Sequence, residues 1–268
     1  MRIQDAIDRL LAYHPQLKTE VTCDGFKVGN PEDELTGIVT TCCASVDVIR
    51  QAAALGANLI ITHEPTFYTH YDPIDWLQGK NKVFDEKWKL CVDNGIAIFR
   101  DHDHIHAHNP DGIFTCVMKE LGWESYLACD PAKPMRFVIP PKTVRELALE
   151  LKEKIGLNGV RVIGNMDAVA TKVAMGGHIM AMNHDMASTE LFASEDVDVL
   201  IPGEVIDWTT VACARDAGQL GMNKAIINLG HFSWEELGMK HAAGWIADLI
   251  DHEVPVTFVP SVDMYQYL

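Results

Sequence analysis

The sequence has no C-x-x-C pair, no long apolar run and no excess of basic residues. Its seven cysteines are odd in number and scattered, which argues against a disulfide framework or a zinc knuckle and favours reduced thiols. No apolar run approaches the roughly 20 residues that cross a bilayer. The first residues (MRIQDAIDRLLAYHPQL) have the spacing of an amphipathic helix, which is not the pattern of a signal peptide. We therefore expect a cytoplasmic protein.

Basic residues are scarce. The chain has 22 lysines and arginines and 38 aspartates and glutamates, which gives a formal charge of -16. Such a surface repels phosphate backbones and anionic headgroups, so we expect neither nucleic acid nor a membrane as a partner. Hydrophobic residues make up 48% of the chain and charged residues 22%, which is typical of a folded globular protein. The 268 residues suffice for one large domain or two modest ones.

Helical and strand patterns alternate along the chain, which predicts an α/β fold. Wholly apolar segments such as residues 58–62 (NLIIT) are typical of buried parallel strands. A stretch with four prolines, residues 130–141, separates two halves with similar patterns. We therefore predict two linked, similar α/β units with a cleft. The predicted ranges are 1–129 for the first unit, 130–229 for the second, and 230–268 for a closing segment that returns to the cleft.

A histidine and a glutamate, His63 and Glu64, directly follow the NLIIT strand. In open α/β sheets, functional side chains collect just beyond the carboxyl ends of the strands. Pro65 restricts Glu64 to an extended backbone and so fixes the direction of its carboxylate. The pair is a candidate for metal ligands, although an ordinary polar surface loop is the better explanation of these two residues when they are taken alone.

A second cluster, residues 101–108 (DHDHIHAH), follows the predicted strand IAIF. If the chain stays extended there, its four histidines lie on one face. These histidines are His102, His104, His106 and His108. Imidazole is a ligand for zinc, iron, manganese or nickel, and the two aspartates between the histidines can orient the ring N–H groups. The alternative is an exposed polar loop.

The third cluster, residues 230–236 (GHFSWEE), follows the predicted strand AIIN. A separation of four residues allows His231 and Glu235 to reach one ion from the same side of a helical turn. The alternative is that Ser233 caps the helix and that the glutamates only complement its dipole, and both interpretations can hold together.

Two weaker signals follow other predicted strands. Glu204 comes after the strand DVDVLIP, where it either lies near the same cleft or serves as an ordinary turn carboxylate. Residues 176–178 (GGH) follow the strand KVAM, and paired glycines there would allow the backbone to approach a ligand. A simple loop explains these glycines as well.

The order of these motifs resembles a known family. A strand ending in T-H-x-P, a later H-x-x-x-[DH], a G-E and a closing G-H-x-x-x-E occur in the order found in the Nif-three-like family of dinuclear metal-centre proteins. Its members are often named GTP cyclohydrolase I type 2-like. The resemblance spans nearly the whole chain and is particularly close at residues 56–63 (GANLIITH).

The resemblance implies a ligand set of three histidines and two carboxylates. In this sequence the matching residues are His63, Glu64, His106, His231 and Glu235. Two positions differ from the family pattern, because Glu64 stands where the family has histidine and His106 where it has aspartate. The two exchanges leave the number of histidines and carboxylates in balance, which favours a metal site retained in the cleft. The closing segment, residues 230–268, would return the last two ligands to it.

The function implied by the resemblance is metal-dependent hydrolysis of a C–N bond in a small cyclic or amide substrate. One or two divalent transition-metal ions (zinc, iron or manganese) would serve as cofactors, and His102, His104 and Glu204 would be the catalytic residues that transfer protons. The resemblance also implies a homo-oligomer, a hexamer. The alternatives are a non-enzymatic metal-binding, metal-delivery or regulatory protein, and an Fe(II)-dependent oxygenase.

Overall fold

The computed structural model of the protein comprises two compact units. The described residues are 1–131, 135–176 and 185–268. The first unit consists of residues Met1–Cys116 and Glu235–Ser261, and the second of Val117–Trp234 and Val262–Leu268. The predicted ranges 1–129, 130–229 and 230–268 divide the chain at other residues, and the predicted closing segment is shared between the two units.

Helices and strands alternate through the described residues. In chain order they are α1 (Ile3–Tyr13), β1 (Gly25–Val28), β2 (Ile38–Thr41), α2 (Val46–Ala54), β3 (Leu59–Thr62), α3 (Lys82–Asp93), β4 (Ala97–Arg100), α4 (Asp103–His106), α5 (Gly112–Leu121), β5 (Arg136–Thr143), α6 (Val144–Ile155), β6 (Arg161–Gly164), β7 (Val169–Met175), α7 (Asp185–Ala193), β8 (Val199–Ile201), α8 (Thr210–Gln219), β9 (Ala225–Asn228), α9 (His231–Leu249) and β10 (Val256–Phe258). Among the described residues, no helix has the length and apolar character that a membrane span requires.

The first unit contains a five-stranded sheet in the order β1-β4-β3-β2-β10. Strands β4, β3, β2 and β10 are parallel, whereas β1 is an antiparallel edge strand. Every residue of β2, β3 and β4 is buried, which explains why their sequences are apolar or small and polar, except for Arg100 at the end of β4. Ser45 caps α2 by accepting the Val48 N–H, and Asn81 caps α3 in the same way.

The register of the parallel strands determines where the site of the first unit lies. Thr41, Thr62 and Arg100 are the last residues of β2, β3 and β4, and they are paired side by side. The residues that follow them therefore leave the sheet at a common edge, the carboxyl edge. Two of the three histidine and carboxylate clusters found in the sequence begin at this edge, after β3 and β4.

The second unit has a related sheet in the order β5-β7-β8-β9-β6. Its three central strands β7, β8 and β9 are parallel, and both edge strands are antiparallel. A capping box between Thr143 and Glu146 begins α6, and Gly156 ends it in the left-handed conformation that a side chain disfavours. The predicted fold class, two linked α/β units, is confirmed.

Candidate metal centre

His63 lies at the carboxyl edge of the first sheet, directly after β3. Its Nδ1 atom is 3.1 Å from the carbonyl oxygen of Asp101, the residue that follows β4. Because a carbonyl oxygen only accepts, Nδ1 must carry a proton, so Nε2 is the nitrogen of this ring that can offer a lone pair. Nε2 is buried, makes no hydrogen bond within the described part of the chain, and lies 3.5 Å from Oε2 of Glu235.

The segment after β4 is helical, so the expectation that residues 101–108 stay extended was wrong. The strand ends at Arg100, and residues Asp103–His106 form the single helical turn α4. Asp24, a residue that sequence analysis did not select, holds this turn by accepting the backbone N–H groups of His102, His104 and the intervening Asp103. The four histidines therefore do not lie on one face.

The helical turn instead brings two of these histidines to His63. His102 and His106 are four residues apart, so they project from the same side of a turn. Their ring centroids are 4.9 Å apart, and those of His102 and His106 lie 4.6 and 5.0 Å from that of His63. One nitrogen from each of the three rings falls within 4.8 Å of the others, a grouping that can hold a metal ion. We call these three residues the imidazole cluster.

Neighbouring carboxylates orient the rings of His102 and His106 in the imidazole cluster. His102 Nδ1 is 2.9 Å from Oδ1 of Asp103, and His106 Nδ1 is 2.9 Å from Oδ2 of Asp111. Asp111 is itself fixed, because its other oxygen accepts the first N–H groups of α5. With Nδ1 engaged in all three rings, Nε2 is the atom that each ring offers, which is the arrangement of histidines that bind metal in proteins.

Two carboxylates lie beside His63. Glu64 and Glu235 form a second group with His63, again with ligand atoms within 4.8 Å of one another. The side chains of His63, Glu64 and Glu235 are nearly fully buried, whereas His102 and His106 are 23% and 22% exposed. The centre therefore has a closed carboxylate side and a side that solvent can reach.

The charges of the site shift the pKa values of its side chains in opposite directions. Burial opposes charge on His63, but the Glu235 and Glu64 carboxylates outweigh it and raise its pKa. Burial lowers the pKa of His102 to about 3, and the neighbouring His63 and His106 act in the same direction. A histidine with so low a pKa stays neutral at physiological pH and keeps the lone pair that a metal requires.

The other two histidines of the second motif have different partners. His104 Nδ1 is 2.6 Å from Oδ2 of Asp24. His108 Nε2 is 2.7 Å from Nδ1 of the buried His14, whose Nε2 lies 3.0 Å from Oδ2 of Asp101. Neither His104 nor His108 belongs to the imidazole cluster. The catalytic role of His104 stays a prediction.

The remaining predicted residues lie in the second unit. His231 Nδ1 is 3.1 Å from Oε1 of Glu204, and both residues line a cavity of about 220 Å³ together with Phe232, Met264 and Tyr265. His231 begins α9, and Glu235 follows one turn later on the same helix. The roles of His231 and Glu204 stay predictions. The GGH motif at 176–178 lies outside the described residues from Gly177 onward.

A buried arginine, Arg100, is the site residue that sequence analysis missed most clearly. It ends the apolar strand β4, and its Nη2 lies 3.2 Å from Oε2 of Glu64. A charged residue at the end of a wholly buried strand was the available signal, because such a charge requires a partner. Asp111 was also detectable, since it stands where a helix N-cap is expected before α5.

The donor set of the first unit fits a divalent transition-metal ion. The buried Nε2 of His63 lacks a hydrogen bond within the described residues, the imidazoles of His102 and His106 lie beside the ring of His63, and Glu64 and Glu235 form a second group with it. Imidazole and carboxylate together are ligands for zinc, iron and manganese.

Comparisons with known proteins agree with the fold. A family model described as Duf34/NIF3 (NGG1p interacting factor 3) matches residues 1–263. A protein from Clostridium perfringens named GTP cyclohydrolase 1 type 2 homolog is 25% identical over 247 residues, covering 88% of this chain and 87% of that protein. A second protein of that name, from Clostridium acetobutylicum, is 26% identical and covers 88% and 85%.

Solved structures show the same architecture. The Bacillus cereus protein related to NIF3 has a TM-score of 0.73 at 14% identity, covering 100% of this chain and 99% of that one. Staphylococcus aureus protein SA1388 has a TM-score of 0.72 at 16% identity, with the same coverage. These likenesses show the fold, and the match over residues 1–263 confirms the resemblance inferred from the order of the sequence motifs. The chain belongs to the Duf34/NIF3 family.

Proposed function

We propose that this protein is a divalent-metal-dependent hydrolase that acts on a C–N bond of a small cyclic or amide substrate. The observation that carries the proposal is the imidazole cluster, in which one nitrogen from each of three rings lies within 4.8 Å of the others, while Glu64 and Glu235 form a second group with His63. Structural metal sites are closed, whereas catalytic sites keep a position for water or substrate. The partly exposed side of the centre, at His102 and His106, is consistent with such a position.

Hydrogen bonds orient the imidazole rings of this centre before a metal ion binds. A divalent ion bound there would polarise a substrate carbonyl and lower the pKa of water. The Asp101 carbonyl and the carboxylates of Asp103 and Asp111 hold the rings, so little reorganisation is needed on binding. We further propose that His104 and Glu204 transfer protons, as the sequence predicts.

The names of the relatives support the reaction class. A cyclohydrolase opens a ring by hydrolysis, and the clostridial relatives are named GTP cyclohydrolase 1 type 2 homolog. At 25 and 26% identity these names support hydrolysis of a ring C–N bond as a class and do not specify the substrate. The proposal includes a cytoplasmic homo-oligomer, a hexamer, that takes a small-molecule substrate.

Metal analysis and a substrate screen test the proposal together. Purified protein should contain zinc, iron or manganese by plasma mass spectrometry, and His63→Ala should lose it. His252→Ala is the matched control, because His252 is an exposed histidine of the same unit that pairs with Asp248 at the surface. The metal-replete protein should hydrolyse at least one cyclic amide, lactam or purine-like ring.

The alternatives give different results in the same experiment. A metal-delivery protein binds and exchanges metal without turning over any of these compounds. An oxygenase requires iron and O₂, whereas the proposed hydrolase works without oxygen. Full metal retention in His63→Ala would contradict the proposed site itself.

A further inference from the structure

A segment with two tyrosines, residues 262–268 (VDMYQYL), belongs to the second unit and lies outside its helices and strands. We call it the tyrosine segment. The side chains of Met264, Tyr265 and Tyr267 are all exposed. Neighbouring exposed side chains of apolar and aromatic character are typical of surfaces that bind a ligand or a partner, so the contacts of this segment indicate what it does.

Hydrogen bonds and a close packing contact hold the tyrosine segment in place. Asp263 accepts the N–H of Asn158 at 3.1 Å through Oδ2 and that of Tyr265 at 2.9 Å through Oδ1. The Tyr267 hydroxyl donates to the carbonyl oxygen of Gly159 at 3.1 Å. The ring of Tyr267 lies so close to Gly159 that a Cβ atom there would be 2.6 Å from it. The segment therefore has a defined position although its side chains are exposed.

The backbone is strained at Val262, where the tyrosine segment begins. Its φ is 57°, in the left-handed region that a β-branched residue rarely adopts. Such a conformation persists only where the surrounding contacts hold it, and it is common at sites that bind ligands. The hydrogen bonds of Asp263 and Tyr267 are contacts of this kind.

Tyr265 brings the tyrosine segment to the start of α9. The guanidinium carbon of Arg161 lies 5.7 Å from the centroid of the Tyr265 ring, a cation–π contact that holds the ring. Gly230, the residue before His231, has a φ of 87°, and a Cβ atom on it would lie 3.7 Å from Cε2 of Tyr265. The ring of Tyr265 is therefore in van der Waals reach of the turn that precedes His231.

The tyrosine segment forms one wall of the cavity of about 220 Å³ in the second unit. This wall consists of Val262, Met264 and Tyr265. Phe232 adds a second aromatic ring to the lining, and the hydrogen-bonded pair of His231 and Glu204 supplies polar atoms. The cavity thus combines an apolar, aromatic wall with a carboxylate.

The lining and the size of the cavity indicate the class of ligand. Aromatic side chains stack on planar rings, and the thioether of Met264 makes favourable contacts with such rings. The Glu204 carboxylate accepts from Nδ1 of His231 at 3.1 Å, and a carboxylate can accept several hydrogen bonds at once, including bonds from the N–H groups of a ligand. Pockets for drug-sized ligands measure roughly 300–1,000 Å³, so this smaller cavity is suited to a small ring.

We propose that the tyrosine segment is the specificity-determining wall of a site that binds a small planar ring with N–H groups. Tyr265 contacts the face of the ring, and Glu204 accepts hydrogen bonds from its N–H groups. The inference rests on the proposed hydrolase function, in which Glu204 transfers protons, and deepens it. It narrows the substrate class to planar, unsaturated rings and names Tyr265 as the residue that selects them over saturated rings and open-chain amides.

Three related probes test this inference on the wild-type protein. Uracil is planar and has two N–H groups. Dihydrouracil has the same two N–H groups on a puckered, partly saturated ring, and dimethyluracil, with a methyl group on each nitrogen, is planar but has no N–H group. In an NMR titration, uracil should bind about fivefold or more tightly than either of the other two, because only uracil combines stacking with hydrogen bonds to Glu204.

Variants assign these preferences to the two side chains. Tyr265→Ala should weaken uracil binding about tenfold and remove the preference for uracil over dihydrouracil, whereas Tyr265→Phe keeps the ring and should bind uracil within about twofold of the wild type. Glu204→Gln should weaken the binding of uracil more than that of dimethyluracil. Met222→Ala is the matched control, because Met222 is an exposed apolar residue of the same unit outside the lining of the cavity, and its loss should leave uracil affinity unchanged.

The outcomes separate this inference from the proposed function. Equal affinities of the wild type for uracil and dihydrouracil would overturn the inference whether or not the variants fold, and so would unchanged uracil affinity in folded Tyr265→Ala. If no probe bound but an open-chain amide were hydrolysed, the inference would fail and the proposed function would stand. If uracil bound with the expected preferences but no ring were hydrolysed, the inference would stand and the proposed function would fail.

Discussion

Asp24 fixes the helical turn that carries His102 and His106, and its replacement by asparagine should weaken both the fold and the metal site. Oδ1 accepts the N–H groups of His102 and Asp103 at 2.8 and 3.0 Å. Oδ2 accepts the N–H of His104 at 2.9 Å and lies 2.6 Å from its Nδ1. Burial opposes ionisation of Asp24, but these hydrogen bonds outweigh it and lower its pKa, so the carboxylate is ionised in the folded protein.

The size of the effect follows from the count of donors. Asn has one oxygen and one NH₂ group, so in Asp24→Asn the NH₂ group faces either the N–H groups of His102 and Asp103 or the N–H group of His104, whereas the His104 ring can change tautomer and accept. Hydrogen bonds to charged groups contribute about 1.5–3 kcal/mol each, so the loss of one or two of them should lower the free energy of unfolding by about 1.5–6 kcal/mol. That is a large fraction of the roughly 5–15 kcal/mol by which natural domains are stable. Metal affinity should fall roughly 10–100-fold, as it does when the partners of metal ligands are removed.

Urea unfolding of the metal-free protein and competition with a chelating dye measure these two effects. Asp198→Asn is the matched control, because Asp198 accepts two backbone N–H groups and a hydroxyl in the second unit. It should lower stability without changing metal affinity. If Asp24→Asn lost less than about 1 kcal/mol and bound metal as the wild type does, Asp24 would not hold the turn in the way the hydrogen bonds indicate.

Three further predictions concern a ligand, an acid transition and a close backbone contact. His102→Ala should lose most of the bound metal, measured by plasma mass spectrometry, because its ring belongs to the imidazole cluster; retained metal with lost turnover would instead support the predicted catalytic role. Burial opposes ionisation of Asp198, but the Lys172 N–H and the Thr171 side chain outweigh it and lower its pKa. The stability that Asp198→Asn removes should therefore be constant above about pH 4 and shrink as the pH falls through the lowered pKa, and a difference that grows in acid would contradict this. Gly29→Ala should cost about 3 kcal/mol or more, because φ is 94° and the new Cβ would lie 2.3 Å from Cα of Ala97; an unchanged thermal midpoint would refute it.

The fold could be predicted from the sequence where strands are buried on both faces. The apolar segments at β2, β3, β4 and β9 were identified, because a central parallel strand must be apolar throughout. The edge strands β1 and β6 were missed. Their residues are mostly half-exposed and their sequences, GFKV and RVIG, mix charge, glycine and apolar residues, so they lack the continuous apolar pattern.

The candidate site could be predicted less completely, for a reason of distance along the chain. The carboxyl ends of the strands in a parallel sheet lie at one edge. This rule predicts that His63 and residues 101–108 lie close together. The helical turn α4 depends on Asp24, which lies 78 to 80 residues earlier than the N–H groups it accepts. No local pattern around the histidines encodes that cap, so the chain was expected to stay extended.

The departures from the family pattern are better understood through charge than through the number of ligands. His106 replaces the usual aspartate and so removes one negative charge from the centre. Glu64 replaces the usual histidine and adds one negative charge, which would restore the balance if no other charge lay nearby. Glu64 forms a buried ion pair with Arg100, so the negative charge that Glu64 adds has a compensating positive charge inside the protein. On this argument the exchanges retain histidine and carboxylate side chains at the site, and Arg100 balances the carboxylate that the exchange at position 64 introduces.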